Sequence, residues 1–546
     1  MSAVIDRFAV RWRAHGFASA SADGLPEPGS AVLDTRRLDR LVALLLDGSL
    51  EDALERAGIG HDEELCVRQV VLDSLTFRWP QSDADIVAGW SRAISERIRA
   101  AASGDDRDVV RYRSLPLAVF DLVAQASTGD LTRAWAWRQL GLWMGATTGA
   151  SRSEVAAVVA QLLTDHPTLV APSLARAAAA GHLRTLAELI GPGRLAELAA
   201  HAWRVAGGQP LDHAAGATGM PGARTEAERA ARALVARSAL ARAAASVALA
   251  SSASAGDPLE PSASILATAL AVATVLHEAP AAASGAHGVE LAHAVARRLV
   301  DGSSSTVLRG PGSSQENAAP RSSGERPETN APACDGGVPA QSRIASTAEQ
   351  PAPPLPAPAL VSAAPVPAAR RTDWGGLVFL LHILDERDIA IRLAGEPVVG
   401  AARLRVALHR LASDLLARAV PDVGPPDPRD PVLLAFCGLP GHEPPPLDSG
   451  VDSGALLTFG ELVASAADEV IARLRERLAG CDLALAPEPA LLLATCRRRA
   501  VVEAEPGWVD VILELGEVSV DIRRAGLDLD PGYLPWLGCV VRVRYA

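Results

Sequence analysis

RAVVEAEPGWVDVILELGEVSVDIRRAGLDLDPGYLPWLGCVVRVRYA, residues 499–546, decides the fold class. Glu505-Pro506-Gly507-Trp508 suits a type II turn, because proline presets the first central dihedral and glycine accepts a positive φ at the second. After the turn, Val509, Val511, Leu513 and Leu515 alternate with Asp510, Ile512 and Glu514. That spacing predicts a strand buried on one face only. Val518, Ile522 and Ala525 give Glu517–Ala525 a helical stripe, stopped by Gly526. Cys539, Val541, Val543 and Tyr545 against Arg542 and Arg544 predict a last strand. The block reads as a small antiparallel sheet crossed by a helix.

Working outward, the chain divides into four stretches. Residues 1–104 form a mixed strand-helix unit. Leu38–Leu46 and Leu50–Ala57 read as short helices and Leu65–Trp79 as a strand. Ser82 with Asp85 three residues on suggests a capping box, and Ile86, Trp90, Ile94 and Ile98 make an i, i+4 stripe behind it. Residues 105–301 are an Ala-rich helical region. Leu131, Trp135, Leu140 and Trp143 mark one apolar face there. No aromatic residue occurs between Trp203 and Trp374, and alanine buries little area, so this middle stretch is expected to pack weakly. Residues 302–370 read as a disordered Pro/Ala/Ser linker, too poor in apolar side chains to offset its ordering entropy. Residues 371–546 form a C-terminal α+β domain, with helices over Leu377–Leu384, Leu404–Val420 and Phe459–Leu478. The fold class is α+β, predominantly helical: two self-sufficient globules on a tether.

Composition excludes several chemistries. The net charge is -12, and every basic residue is arginine. A P-loop, a protein kinase and a Schiff-base enzyme each need a lysine. An acidic chain without a basic stripe is also a poor nucleic-acid binder. The six cysteines are scattered without CxxC spacing, which fits reduced thiols and a cytoplasmic setting. The first residues carry arginines inside any apolar stretch, unlike a secretory signal. The longest apolar runs, Ile265–Leu276 and Leu377–Leu384, are shorter than the roughly 20 residues a bilayer span needs.

The candidate motifs have plain structural readings. Asp528, Asp530 and Pro531 resemble the start of a calcium loop but lack its further ligands, so a turn is expected. Gly191–Ala196 matches a dinucleotide fingerprint in letters only, without a preceding strand. Cys437 and His442 flank a Gly-Leu-Pro-Gly turn and could pair as nucleophile and base, but a buried cysteine is the plainer reading. No catalytic, cofactor-binding or metal-ligating set is assigned, and no cofactor is expected. Trp374, Trp508, Tyr533 and Trp536 are read as domain core or as interface anchors.

The run Trp374-Gly375-Gly376-Leu377-Val378-Phe379-Leu380-Leu381 resembles a segment of tape-measure-type proteins of phage-tail-like contractile injection systems. The short helices followed by Leu65–Trp79 are similar to the start of that family. Gly526–Gly538 (GLDLDPGYLPWLG) resembles accessory proteins encoded beside such systems in high-GC bacteria. The likeness covers residues 35–100 and 371–546. It implies a non-enzymatic structural or assembly protein, tape-measure-like or associated with baseplate or cap. The partners implied are tube, sheath, baseplate or cap components, with no nucleic acid. Trp374, Gly375, Gly376, Phe379, Trp508, Asp528, Asp530, Pro531, Tyr533 and Trp536 are its fold-and-interface candidates. The mechanism expected is bivalent, each globule holding a different component while the tether raises effective concentration. The alternatives are a helical adaptor unrelated to secretion, or a hydrolase using Cys437 and His442.

Overall fold

The computed structural model describes residues 35–56, 64–68, 81–103, 108–145, 149–211, 221–255, 261–285, 287–307, 369–422, 426–440, 444–445 and 453–546. Three hydrophobic clusters organise them.

The first is small. Helices α1 (Thr35–Leu44), α2 (Leu50–Arg56) and α3 (Asp83–Ser103) bury Leu38, Leu41, Leu45, Leu54, Ile86, Trp90 and Ile94 together. Ser82 caps α3 as its sequence suggests: its Oγ accepts from the Asp85 N–H at 3.2 Å and donates to the Asp85 carboxylate at 2.6 Å. Of the expected strand Leu65–Trp79, only β1 (Glu64–Val67) lies within the described residues, with Arg68 after it. It pairs antiparallel with β2 (Val109–Tyr112).

The second cluster is the helical unit. It comprises α4 (Leu115–Thr128), α5 (Ala134–Gln139), α6 (Arg152–Asp165), α7 (Val170–Ala179), α8 (Leu183–Ile190), α9 (Pro192–Val205), α10 (Pro221–Arg237), α11 (Ala239–Ala255), α12 (Pro261–Glu278) and α13 (Gly288–Val307). Trp137 and Trp143 are fully buried, whereas Trp135 is only half-buried. The Trp137 indole N–H donates to the Tyr112 hydroxyl at 2.9 Å, and Tyr112 donates to Asp121 at 2.6 Å. The weak packing expected of the alanine-rich stretch is not found. Helix α12 is the centre of the unit, packed on α7, α9, α11 and α13, and everything from Ala269 to Leu276 is buried. Alanine gives little transfer energy, but its short side chain lets neighbouring helices approach closely, and dispersion contacts then add to the burial.

The third cluster is the C-terminal unit. Strand β3 (Arg370–Thr372) leads into a 3-10 turn over Gly375–Leu380 and helices α14 (Leu381–Glu386), α15 (Ile389–Gly395), α16 (Gly400–Ala419), α17 (Pro431–Phe436), α18 (Ser453–Arg477) and α19 (Glu488–Cys496). Then come β4 (Ala500–Glu505), β5 (Trp508–Leu513), α20 (Val520–Arg524), β6 (Gly532–Leu534) and β7 (Cys539–Tyr545). The expected buried helix at Leu377–Leu384 is thus half 3-10. Gly375 and Gly376 set that geometry: a Cβ on Gly376 would lie 2.1 Å from the Thr495 carbonyl oxygen. The sheet order is β3-β4-β5-β7-β6. Three pairs are antiparallel as expected, but β5 and β7 run parallel, because α20 and the loop after it return the chain to the same end. The expected linker 302–370 is shorter at both edges, since α13 continues to Val307 and β3 begins at Arg370; residues 308–368 lie outside the described residues.

No single helix among the described residues is long and apolar enough to cross a membrane.

Candidate functional site

Several buried charged groups meet at the seam where the C-terminal unit seats against the helical unit. Strand alternation builds its centre. The register places Glu503 of β4 opposite Asp510 of β5, and Asp510 opposite Arg542 of β7, a polar row across one sheet face. Val509, Val511 and Leu513 point the other way, into the C-terminal core. The sequence predicts that the Asp510 face meets solvent. It does not: Asp510 is 1% exposed. Arg113, in the turn before α4, covers it and forms ion pairs with Glu503 and, at 3.3 Å, with Asp510. The Arg542 guanidinium donates to the Arg113 carbonyl at 2.7 Å and lies 6.0 Å from the Trp508 ring centroid. Removing one partner from a buried pair of this kind costs about 3–5 kcal/mol, because the other charge stays behind.

The β4–β5 turn supplies the second contact. Gly507 has φ +77, as a type II turn requires, and its face rests on Pro172 of α7: a Cβ there would lie 2.5 Å from the proline ring. Arg176, one turn further along α7, pairs with Glu505 and donates to the Pro506 carbonyl at 3.1 Å. Its guanidinium stacks 4.2 Å from the Phe120 ring centroid.

The third contact reverses the direction of charge. Arg405 of α16, itself buried, donates to the His277 carbonyl at 2.6 Å and lies 3.6 Å from the Glu278 carboxylate. Arg237 donates to the Ala402 carbonyl at 3.0 Å, and Gly538 rests on Pro280. Burial pulls the His277 imidazole down to about 4; Glu278 opposes this, while Arg405 and Arg176 add to it. Burial alone would raise the Glu278 carboxyl, but His277, Arg405, Arg237 and Ser238 together hold it below its usual range.

The residues singled out from sequence fall elsewhere or play framework parts. Phe379 and Trp536 are buried in the C-terminal core, and the Trp536 indole donates to Asp385 at 2.8 Å. Trp374 is half-buried and bridges to Arg498. Asp530 accepts the Val543 N–H at 2.7 Å, and the buried Asp528 accepts the Tyr545 hydroxyl at 3.1 Å, so both serve the turn. Pro531 is half-buried and Tyr533 sits exposed on edge strand β6. Trp508 belongs to the seam, and Asp530 reaches its rim by an ion pair with Arg542 at 3.6 Å. The arginines at its heart, Arg113, Arg176 and Arg405, carry no local sequence signal.

The seam is built on charge pairing. Cys437 is fully buried, its thiol donates to the Leu433 carbonyl at 3.1 Å, and burial pushes it well above its usual range. That is the opposite of an activated nucleophile. His442, its expected partner, lies outside the described residues. Cys496 and Cys539 are likewise buried and pushed up to about 12. Among the described residues no group of three or more His, Cys, Asp or Glu side chains is placed to hold a metal ion. Compared with known proteins, the chain matches no family model, no curated protein and no solved structure.

Proposed function

We propose that this chain is a non-enzymatic structural or assembly protein of a contractile, phage-tail-like injection particle, working through protein–protein contacts. The resemblance at Trp374–Leu381 and Gly526–Gly538 names the particle. The observation that carries a contact role is an exposed apolar segment beside the sheet. Leu515, Val518 and Val520 are 68%, 42% and 63% exposed within six residues. Neighbouring backbone holds this segment in place: the Leu515 N–H donates to the Ala546 carbonyl at 3.1 Å, and Arg499 pairs with Glu514 and Glu517. Apolar side chains displayed on a fixed frame are characteristic of binding surfaces.

The bivalent mechanism changes form. The two units are docked on each other, so the pair acts as one body with the apolar segment on its C-terminal side. The test is the triple substitution Leu515→Asp, Val518→Asp and Val520→Asp in a strain that makes particles. Assembled particles counted by electron microscopy should fall several-fold, with the variant still folded by circular dichroism. Normal particle numbers would discard this reading.

A further inference from the structure

We propose that the contact between Arg405 and the end of α12 is an acid-released latch: as the pH falls, a proton taken up by His277 loosens the seam while both hydrophobic cores stay folded. The inference stands apart from the injection-particle reading and concerns the protein alone.

The geometry carries it. His277 lies in the last turn of α12 and is buried where the C-terminal unit covers the helix end. Arg405, also buried, reaches across from α16, donates to the His277 carbonyl at 2.6 Å and lies 3.6 Å from the Glu278 carboxylate. A histidine near a helix C-terminus ordinarily gains from protonation, because the free carbonyls there favour a cation. Here Arg405 already fills that role. An imidazolium donates from both ring nitrogens, and the buried Nδ1 of His277 has no protein hydrogen-bond partner. An added proton is therefore poorly compensated while the seam is shut.

The surrounding charges work in the same direction. Arg405 of α16 and Arg176 of α7 oppose a third cation at the ring, and Glu278 on its own helix favours one. Arg237 and Ser238 hold Glu278 from the α10 side, and Glu505 pairs with Arg176. The thiols facing Arg405, Cys437 and Cys539, are pushed up by burial and stay neutral. Helices α9, α11 and α13 pack along α12 and, among the described residues, add no charge acting on the ring. Closed, the imidazole sits at about 4; solvated, it returns to 6.5. The open seam thus takes up the proton first, so opening is favoured as pH falls below 6.5 and the gain is complete below about 4.

The seam also carries apolar contacts: Ala281 packs on the C-terminal core, Ala401 on the helical core, Gly507 on Pro172 and Gly538 on Pro280. These do not titrate. They set how firmly the seam is shut at neutral pH, and His277 sets how that changes. Any opening that wets His277 gains the proton, and a local opening costs less than unfolding a core.

Hydrogen exchange of the full chain, read by mass spectrometry and corrected for the intrinsic pH dependence, tests this. At about pH 5.5 ordinary carboxylates are still ionised, so histidine acts alone. Between about pH 7.5 and 5.5, opening of the α12 end and the turn after it, Val275–Ala283, should rise about tenfold in the wild type. It should stay flat in His277→Gln, and amides of Val470–Leu474 in the C-terminal core should keep their protection. No rise in the wild type, an equal rise in His277→Gln, or a parallel loss at Val470–Leu474 overturns the proposal. If His277→Gln loses its helical circular dichroism, the wild-type pH series decides. A rise that begins near pH 6.5 supports the latch, and one confined below about pH 5 belongs to carboxylates and overturns it.

Discussion

The surroundings of helix α12, within the helical unit, and the C-terminal unit bury their interiors by different means. In the helical unit the central helix α12 is built around Ala267, Ala269, Ala271 and Ala273, and its neighbours come close because little stands between the backbones. In the C-terminal unit, Phe379, Phe436, Leu408, Leu411 and Leu474 fill a wider space between helices and sheet. The contrast teaches that burial and side-chain size are separable. A core of small residues depends on fit, and a core of large ones on area.

Phe436→Ala should do the most damage. A fully buried phenylalanine removed from a core of large side chains leaves a cavity and costs about 3–5 kcal/mol, measured by denaturant unfolding. A cost below 1 kcal/mol would mean that this core collapses as readily as the alanine one, and the comparison would break. Next is the seam, where the two styles of packing meet. His277 is buried and its folded pKa lies below its ordinary value of 6.5, at about 4, so the unfolded chain binds the extra proton first. Stability is therefore full above about pH 6.5 and falls as pH drops towards 4, by about 3 kcal/mol for this group. His277→Gln should flatten that window in unfolding curves taken between pH 4 and 6.5; an unchanged slope would assign the loss to carboxylates. The smallest effect, about 1–3 kcal/mol, is expected for Ala271→Leu, which overfills α12. A calorimetric midpoint equal to wild type would show the alanine core to be slack after all, as composition alone implies.

Legibility followed the same divide. The Pro506-Gly507 turn, the Val509–Leu513 alternation and the Ser82 cap were readable because each depends on residues a few positions apart. Strand β3 was not, since Arg370-Arg371-Thr372 has no apolar alternation and pairs with Val501 and its neighbours far along the chain. Strand β6 was too short to leave a period. The burial of α12 is not legible from composition, because side-chain area says nothing of how closely the helices approach. The seam was invisible for a different reason. Asp510 looks like a solvent-facing residue until Arg113, distant in sequence, arrives over it, and no pattern within either unit encodes that meeting. Of the aromatics read as core or as interface anchors, Trp508 and Trp536 are buried, Trp374 is half-buried and Tyr533 is exposed, because the letters alone do not say which way a ring faces.

Hairpin tips are ordinarily the most forgiving places to lengthen a protein or to insert a peptide tag. The tip at Gly507 is an exception, since any side chain there meets Pro172 and adopts an unfavourable backbone shape as well. Gly480 also has a positive φ, +93, but open space surrounds it, so an insertion beside it, with the glycine kept, is the better choice for an epitope or a fluorophore. Whoever labels this molecule therefore has a surface loop to use and a look-alike loop to leave alone.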